Sequence, residues 1–331
     1  MTNLSGPRFA WCSAFLFALA IVTDAQAIRS VSTFATGSAV SATGPDSITV
    51  GNGSVWVSYT NNADSTGASG NSTVVRYDMK GAVKHVYSIA GSVDGLKIEP
   101  RTGLVWALQN QDGNSTLTLI DPDSGITADS PLHYKVTSPT RGYDDVVFRD
   151  GQIFLSYTNP ASPSDPTIQR LENRTSPLVV TPVITMGATG IDVATGQANQ
   201  LTSQNDPDSL KLVPPGILML TSGDDGQLIF VLPGNPQIAF LSLRDSNGAP
   251  VSGLDDAAVA TAERGTFYLT DTGNNRVLVI DADELPFDSL YACVGSLNEL
   301  ALVNTRTGVV TAFVSNLKAP HGLVFVPKND D

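Results

Sequence analysis

The chain has 331 residues, a formal net charge of −13 and an isoelectric point near 4.5. So strong an acidic balance repels phosphate backbones and anionic lipid headgroups, which argues against nucleic acid or a membrane surface as partner. Charged residues make up only 15% of the chain while Gly (29) and Pro (20) are plentiful, the composition of many short strands joined by many turns.

Residues 1–27 read as a secretory leader. Arg8 closes a short polar segment, Phe9 to Val22 is an almost unbroken apolar stretch, and Ala25 Gln26 Ala27 has the small-x-small cleavage pattern. The mature chain is expected to start at Ile28, to form one domain over residues 28–331, and to be secreted or periplasmic as a monomer. No later stretch reaches the roughly 20 apolar residues that a membrane-spanning helix needs, so no membrane insertion is expected. Cys12 falls in the leader, which leaves Cys293 as the mature protein's single cysteine, in the apolar context Leu290 Tyr291 Ala292 Cys293 Val294. It reads as a small buried hydrophobe.

Along the rest of the chain one pattern recurs six times: an acidic residue or histidine, then a small or acidic residue, directly ahead of an apolar strand. The copies are Pro45 Asp46 Ser47 Ile48, Val93 Asp94 Gly95 Leu96, Tyr143 Asp144 Asp145 Val146, Pro207 Asp208 Ser209 Leu210, Leu254 Asp255 Asp256 Ala257 and Pro320 His321 Gly322 Leu323. They lie about 47 to 66 residues apart, the blade length of a propeller. After each start come a tight turn such as Gly51 Asn52 Gly53 or Arg149 Asp150 Gly151, a second strand with a large apolar centre such as Val55 Trp56 Val57, a third strand and a fourth. Helical periodicity is absent after the leader.

These features predict an all-β chain, a six-bladed β-propeller with seven blades as the alternative. The ring is expected to close by pairing of the N- and C-terminal segments, Ser30 to Ala35 with Leu323 to Val326, so that no edge is left exposed. Residues 255–320 hold more strands than one blade needs, and Ser289 to Ser315 is expected to supply part of the sixth blade.

Alternating strand direction puts the loop leading into strand one and the loop joining strands two and three on the same face of the disc. There Asp46, Asp94, Asp144, Asp208, Asp255 and His321 are expected to ring the channel mouth, with Asn110, Asn159, Asp271 and Asn274 on the surrounding loops as ligand-face residues. Converging carboxylates suit a hard divalent ion, and Ca²⁺ takes about 6 to 8 oxygen ligands. The competing reading is that each repeated Asp only caps backbone N–H groups at its turn. His321 is the exception in the series, and its place among carboxylates makes it a candidate acid/base or a neighbour of the metal.

The segment Asp271 Thr272 Gly273 Asn274 Asn275 Arg276 Val277 resembles the NHL-repeat signature. Val93 Asp94 Gly95 Leu96 and Pro320 His321 Gly322 Leu323 resemble blade starts of the gluconolactonase and paraoxonase superfamily of propellers. That resemblance implies Ca²⁺ held by Asp and Asn at the channel mouth, polarising a lactone or ester carbonyl. The superfamily's metal-binding Glu at the first blade start is matched here by Asp46. Three functions are therefore carried forward: a propeller binding a small molecule or a protein partner at the Asp/Asn-rich face with a structural Ca²⁺, a Ca²⁺-dependent lactonase or esterase with Asp46, Asp94, Asp144, Asp208 and Asp255 as metal ligands and His321 catalytic, and an envelope scaffold for protein assembly. Nucleophile-elbow, phosphate-loop, zinc-protease and haem motifs are absent from the sequence.

Overall fold

A computed structural model describes residues 28–328 apart from 129 and 233–236. The leader and Cys12 lie outside the described residues. Among those described, regular structure is β-strand with three short 3₁₀ turns, and no helix is long and apolar enough to cross a membrane.

The strands form six small sheets arranged as a six-bladed propeller. The innermost strands are Pro45–Gly51, Val93–Ile98, Tyr143–Arg149, Pro207–Val213, Leu254–Ala260 and Pro320–Pro327, so every one of the six sequence copies opens an inner strand. The hairpins between inner and second strands follow from turn chemistry. Asn52 and Gly53, and likewise Asp150 and Gly151, all adopt positive φ between directly paired residues, the geometry of a two-residue type I′ turn.

Large apolar side chains fill six buried clusters, one at each joint between neighbouring blades. Trp56 and Val74 of the first blade meet Leu96 and Val105 of the second. Round the ring, Tyr268 and Val277 of the sixth blade meet Ile48 and Val55 of the first, which completes the circle. Burying both faces of every sheet against its neighbours is what makes the closed ring favourable, at about 25 cal/mol per Å² of apolar surface removed from water.

Two expectations about closure need correction. Ser289–Val294, Glu299–Val303 and Val310–Val314 do not enter the sixth blade; they are strands two to four of the fifth, paired outward from Leu254–Ala260. The hairpin of Gly265–Asp271 and Arg276–Ala282, which comes earlier in sequence, crosses instead to the sixth blade and pairs with Pro320–Pro327. Both segments are strand-forming and apolar, so local propensity cannot assign them; long-range fit does. Phe267 lies 4.9 Å from Phe325 in its own blade and 4.8 Å from Tyr291 in the fifth, in an aromatic seam that binds the two blades.

The terminal segments meet in one blade as expected, but not as direct partners. Ile28–Thr36 is the outermost strand of the sixth blade and Pro320–Pro327 the innermost, with the crossed hairpin bonded between them. A four-strand blade leaves room for that hairpin, and each terminal segment satisfies its backbone on one edge of it.

Candidate functional site: an acidic cup at the channel mouth

Aligned by strand position, the six inner strands present their side chains in layers. The first layer is Asp46, Asp94, Asp144, Asp208, Asp255 and His321; all six line one cup of about 260 Å³ at the channel mouth. The residues split into two groups. Asp46, Asp255 and His321 each offer a ligand atom within 4.8 Å of the others, and so do Asp94, Asp144 and Asp208.

At three of the six blade starts the backbone-capping role that competes for these aspartates is carried by the next residue along. Ser47 Oγ accepts the N–H of Leu96 at 3.0 Å, Asp145 Oδ2 that of Leu210 at 3.1 Å, and Asp256 Oδ2 that of Leu323 at 2.8 Å. Each bond ties one blade to the next. Between them stand Gly95 and Gly322, where a Cβ would come within 2.0 Å of the Asp144 carbonyl oxygen and 2.5 Å of that of Asp46. The Asp-Gly and His-Gly pairs of the sequence therefore reflect inner strands in close approach.

Two lysines lie three residues further along the inner strands that carry Asp94 and Asp208. Lys97 Nζ lies 3.1 Å from Asp145 Oδ2 and Lys211 Nζ 2.6 Å from Asp256 Oδ2, with all four side chains largely withdrawn from solvent. The cup thus has a salt-bridged floor beneath carboxylates that have few counter-charges of their own. Burial pushes the carboxyls of Asp94, Asp144 and Asp208 well above the usual range, and the charges of neighbouring aspartates push them further. Asp255 is pushed up to about 7, first by burial, although His321 opposes the shift.

His321 behaves in the opposite sense. Its Nδ1 is 2.7 Å from Asp46 Oδ1 and 3.1 Å from Asp255 Oδ2. Burial acts to lower its pKa, but the charges of Asp255 and Asp46 and the hydrogen bond to Asp46 outweigh it, so the imidazole is held well above its ordinary value. Asp46 is the partner that keeps its charge: burial raises its carboxyl, and the bond and charge of His321 more than reverse this.

The loop residues are distributed differently. Asn110 is buried away from the cup, where its Oδ1 accepts the Ser92 N–H at 3.2 Å. Asn159 does not line the cup, but its Nδ2 donates to Asp112 Oδ1 at 2.7 Å and so pins a residue that does. Asp271 is fully buried and accepts from Asn274 Nδ2, Arg276 Nε and the Lys318 N–H at 2.7 to 2.8 Å. The Asp, Asn and Arg of the NHL-like segment therefore form a loop clamp in the sixth blade.

Sequence reasoning passed over Gln111, Asp112, Thr158 and Asp206, which complete the cup wall. Gln111 and Asp112 follow Asn110 in the same polar loop, and only its folded path shows which of them overhangs the centre. The Oε1 of Gln111 is buried without a hydrogen-bond partner among the described residues.

Taken together, the donors facing the cup are carboxylate and amide oxygens with a single imidazole, a hard-ligand set suited to Ca²⁺ rather than to a thiophilic metal. Clustered carboxylates held above their ordinary pKa and an orphaned amide oxygen both fit an oxygen-coordinated cation at this place.

No family model matches the chain, and no curated protein matches it in sequence. Solved structures do match it in fold. A protein of unknown function from Bacteroides caccae aligns with a TM-score of 0.52 at 10% identity, over 86% of this chain and 87% of that one. A putative gluconolactonase aligns with a TM-score of 0.51 at 11% identity, over 87% and 82%. Virginiamycin B lyase from Staphylococcus aureus aligns with a TM-score of 0.49 at 12% identity, over 90% and 96%. At these identities the likeness is one of fold.

Proposed function

We propose that the chain is an exported ligand-binding propeller whose acidic cup holds a hard divalent cation, Ca²⁺ first among them, and receives a small neutral or cationic molecule above it. The observation that carries this reading is the convergence of Asp94, Asp144 and Asp208 on one side of the cup and of Asp46, Asp255 and His321 on the other. Asp94, Asp144 and Asp208, with Gln111 Oε1 nearby on the wall, are the residues that would hold the ion. When bound it would neutralise the carboxylates and offer a Lewis-acid face to a ligand oxygen. His321 and Asp46 neutralise each other, and Lys97 and Lys211 pair with Asp145 and Asp256.

Thermal melting in CaCl₂ against chelator tests this. Wild type should gain about 2.7 kcal/mol at a Ca²⁺ concentration 100 times Kd, and Asp144→Asn should lose most of that gain. No shift in wild type overturns the metal. Export is a separate part of the reading, tested by N-terminal sequencing of the secreted chain, which should begin at Ile28.

A second reading is a metal-dependent lactonase or ester hydrolase. It is favoured by the 2.7 Å bond that orients His321 on Asp46 and by the fold shared with a putative gluconolactonase. Asp46 holds the proton at Nδ1, which leaves Nε2 to exchange one with a substrate, and the raised pKa suits His321 to donate. A panel of lactones and esters, with His321→Ala as control, separates hydrolase from binder.

A further inference from the structure

One six-fold feature of the functional face is broken at two neighbouring blades. In every blade the residue after the second strand donates its backbone N–H to the residue before the inner strand: Thr60 to Gly44, Asn110 to Ser92, Thr158 to Gly142, Gly223 to Asp206, Gly295 to Gly253 and Thr272 to Ala319, all at 2.7 to 3.1 Å. At four of these places the side chain adds a second bond, reaching a neighbouring blade from Thr272 and Thr158 and staying within its own blade from Thr60 and Asn110. Thr272 Oγ1 donates to the Pro45 carbonyl of the next blade at 2.5 Å, Thr158 Oγ1 to the Gln111 carbonyl, Thr60 Oγ1 to the Gly44 carbonyl at 3.5 Å, and Asn110 Oδ1 accepts from Ser92.

In the fourth and fifth blades that residue is glycine, and there the wall of the cup opens. A groove of about 310 Å³ runs outward, sharing Asp206, Asp208, Asp255 and His321 with the cup. Its sides are Gly223, Gly253, Gly295, Ala319 and Pro320, with no charged side chain among them. Asn298, the one amide on this wall, has its Oδ1 3.3 Å from the Ala319 N–H that it accepts. The inner end is acidic: Asp206, Asp208 and Asp255 face it. Nine aspartates line the cup against His321 within it and Lys97 and Lys211 beneath it, so with an ion holding Asp94, Asp144 and Asp208 in their charged form the centre stays negative.

We infer that this groove seats an elongated ligand with a cationic amine head, its ammonium directed to the acidic inner end and its apolar body lying along the glycine wall. The inference rests on the cup being a cation-binding site and adds the shape and charge of the molecule it receives. Shape recognition is confined to the apolar part, because the wall has only backbone and small side chains to offer. Anions are excluded by the aspartates.

Gly223 allows a direct test. Its φ is ordinary, and an added Cβ would meet only the flexible end of Asp206, at 2.5 Å from Oδ2, while lying 3.4 Å from the Leu254 carbonyl oxygen. Leu254 opens the next inner strand as Pro45 does, so Gly223→Thr should recreate the seal that Thr272 makes. The probes are hexylamine, propylamine and hexanoate, titrated calorimetrically into the full chain in Ca²⁺.

Hexylamine should bind at least about tenfold more tightly than propylamine, since each buried methylene contributes about 0.8 kcal/mol, and hexanoate should not bind. Gly223→Thr should abolish the chain-length preference while the Ca²⁺ melting shift, which depends on Asp94, Asp144 and Asp208, persists; Gly223→Ala should weaken the preference partway. Equal affinity for the two amines, binding of hexanoate, or an undiminished preference in folded Gly223→Thr overturns the inference. If hexylamine fails while Ca²⁺ still shifts the melt, the groove assignment falls alone; if neither binds, both fall.

Discussion

His321 Nδ1 lies 2.7 Å from Asp46 Oδ1, joining the last inner strand to the first across 275 residues of sequence. The bond closes the first layer of the ring where the two ends of the repeat meet. It also places the series' single cation where it offsets the carboxylates on either side, Asp46 and Asp255.

That arrangement makes the chelated protein more stable in mild acid. The raised pKa of His321 contributes stability that is fully present below about 6.5 and is lost as pH rises through the folded value. The raised carboxyls act in the same direction: Asp255 favours the folded state less and less between its unfolded value, about 3.9, and about 7, and Asp94, Asp144 and Asp208 do so over a range extending upward. Asp46 opposes them, but only as pH falls below about 3.9. With chelator the melting temperature should be higher at pH 5 than at pH 8, and Ca²⁺ should narrow the difference. A flat profile, or one rising toward pH 8, refutes this.

Breaking the floor on one side should be costly. Lys211→Met leaves Asp256 buried without its cation and should destabilise by about 3 to 5 kcal/mol in urea unfolding. Lys211→Met with Asp256→Asn should recover much of the loss, because the amide oxygen can still accept the Leu323 N–H that Asp256 now holds at 2.8 Å. Equal losses in the single and double variants would show that charge is not the cause.

Close approach of the inner strands gives a steric prediction. Gly95→Ala places a Cβ 2.0 Å from the Asp144 carbonyl oxygen and should cost about 1 to 3 kcal/mol or more. Gly51→Ala, whose Cβ would meet only the Ile98 side chain at 3.1 Å, should be clearly milder in the same urea titration.

Cys293 is fully buried in the joint between the fifth and sixth blades, and burial pushes its thiol well above the ordinary value. A thiol reagent should leave the native protein unlabelled over hours and react fully in denaturant. Rapid native labelling would mean that this joint opens.

Much of the fold could be read from the sequence because a blade start is a local signal. Asp or His, a small residue and an apolar run identify an inner strand wherever they occur, and turn pairs such as Asn52-Gly53 and Asp150-Gly151 set the hairpins by their backbone preferences. The loop residues were less legible. Asn110 and Gln111 are adjacent and equally polar, yet Asn110 turns into the joint and Gln111 over the cup, and that choice depends on the path of a loop held by contacts from other blades.

By itself, then, the sequence determined the strand-forming units and the six blade starts, because each depends on interactions within a few residues of the chain. Only the tertiary structure decided that Gly265–Asp271 crosses into the sixth blade while Ser289–Val294 stays in the fifth, that Lys97 meets Asp145 and Lys211 meets Asp256, and that Gly223 and Gly295 open the same groove. These are pairings between segments far apart in sequence and equal in local propensity. Their outcome is set by which side chains fit once the ring has closed.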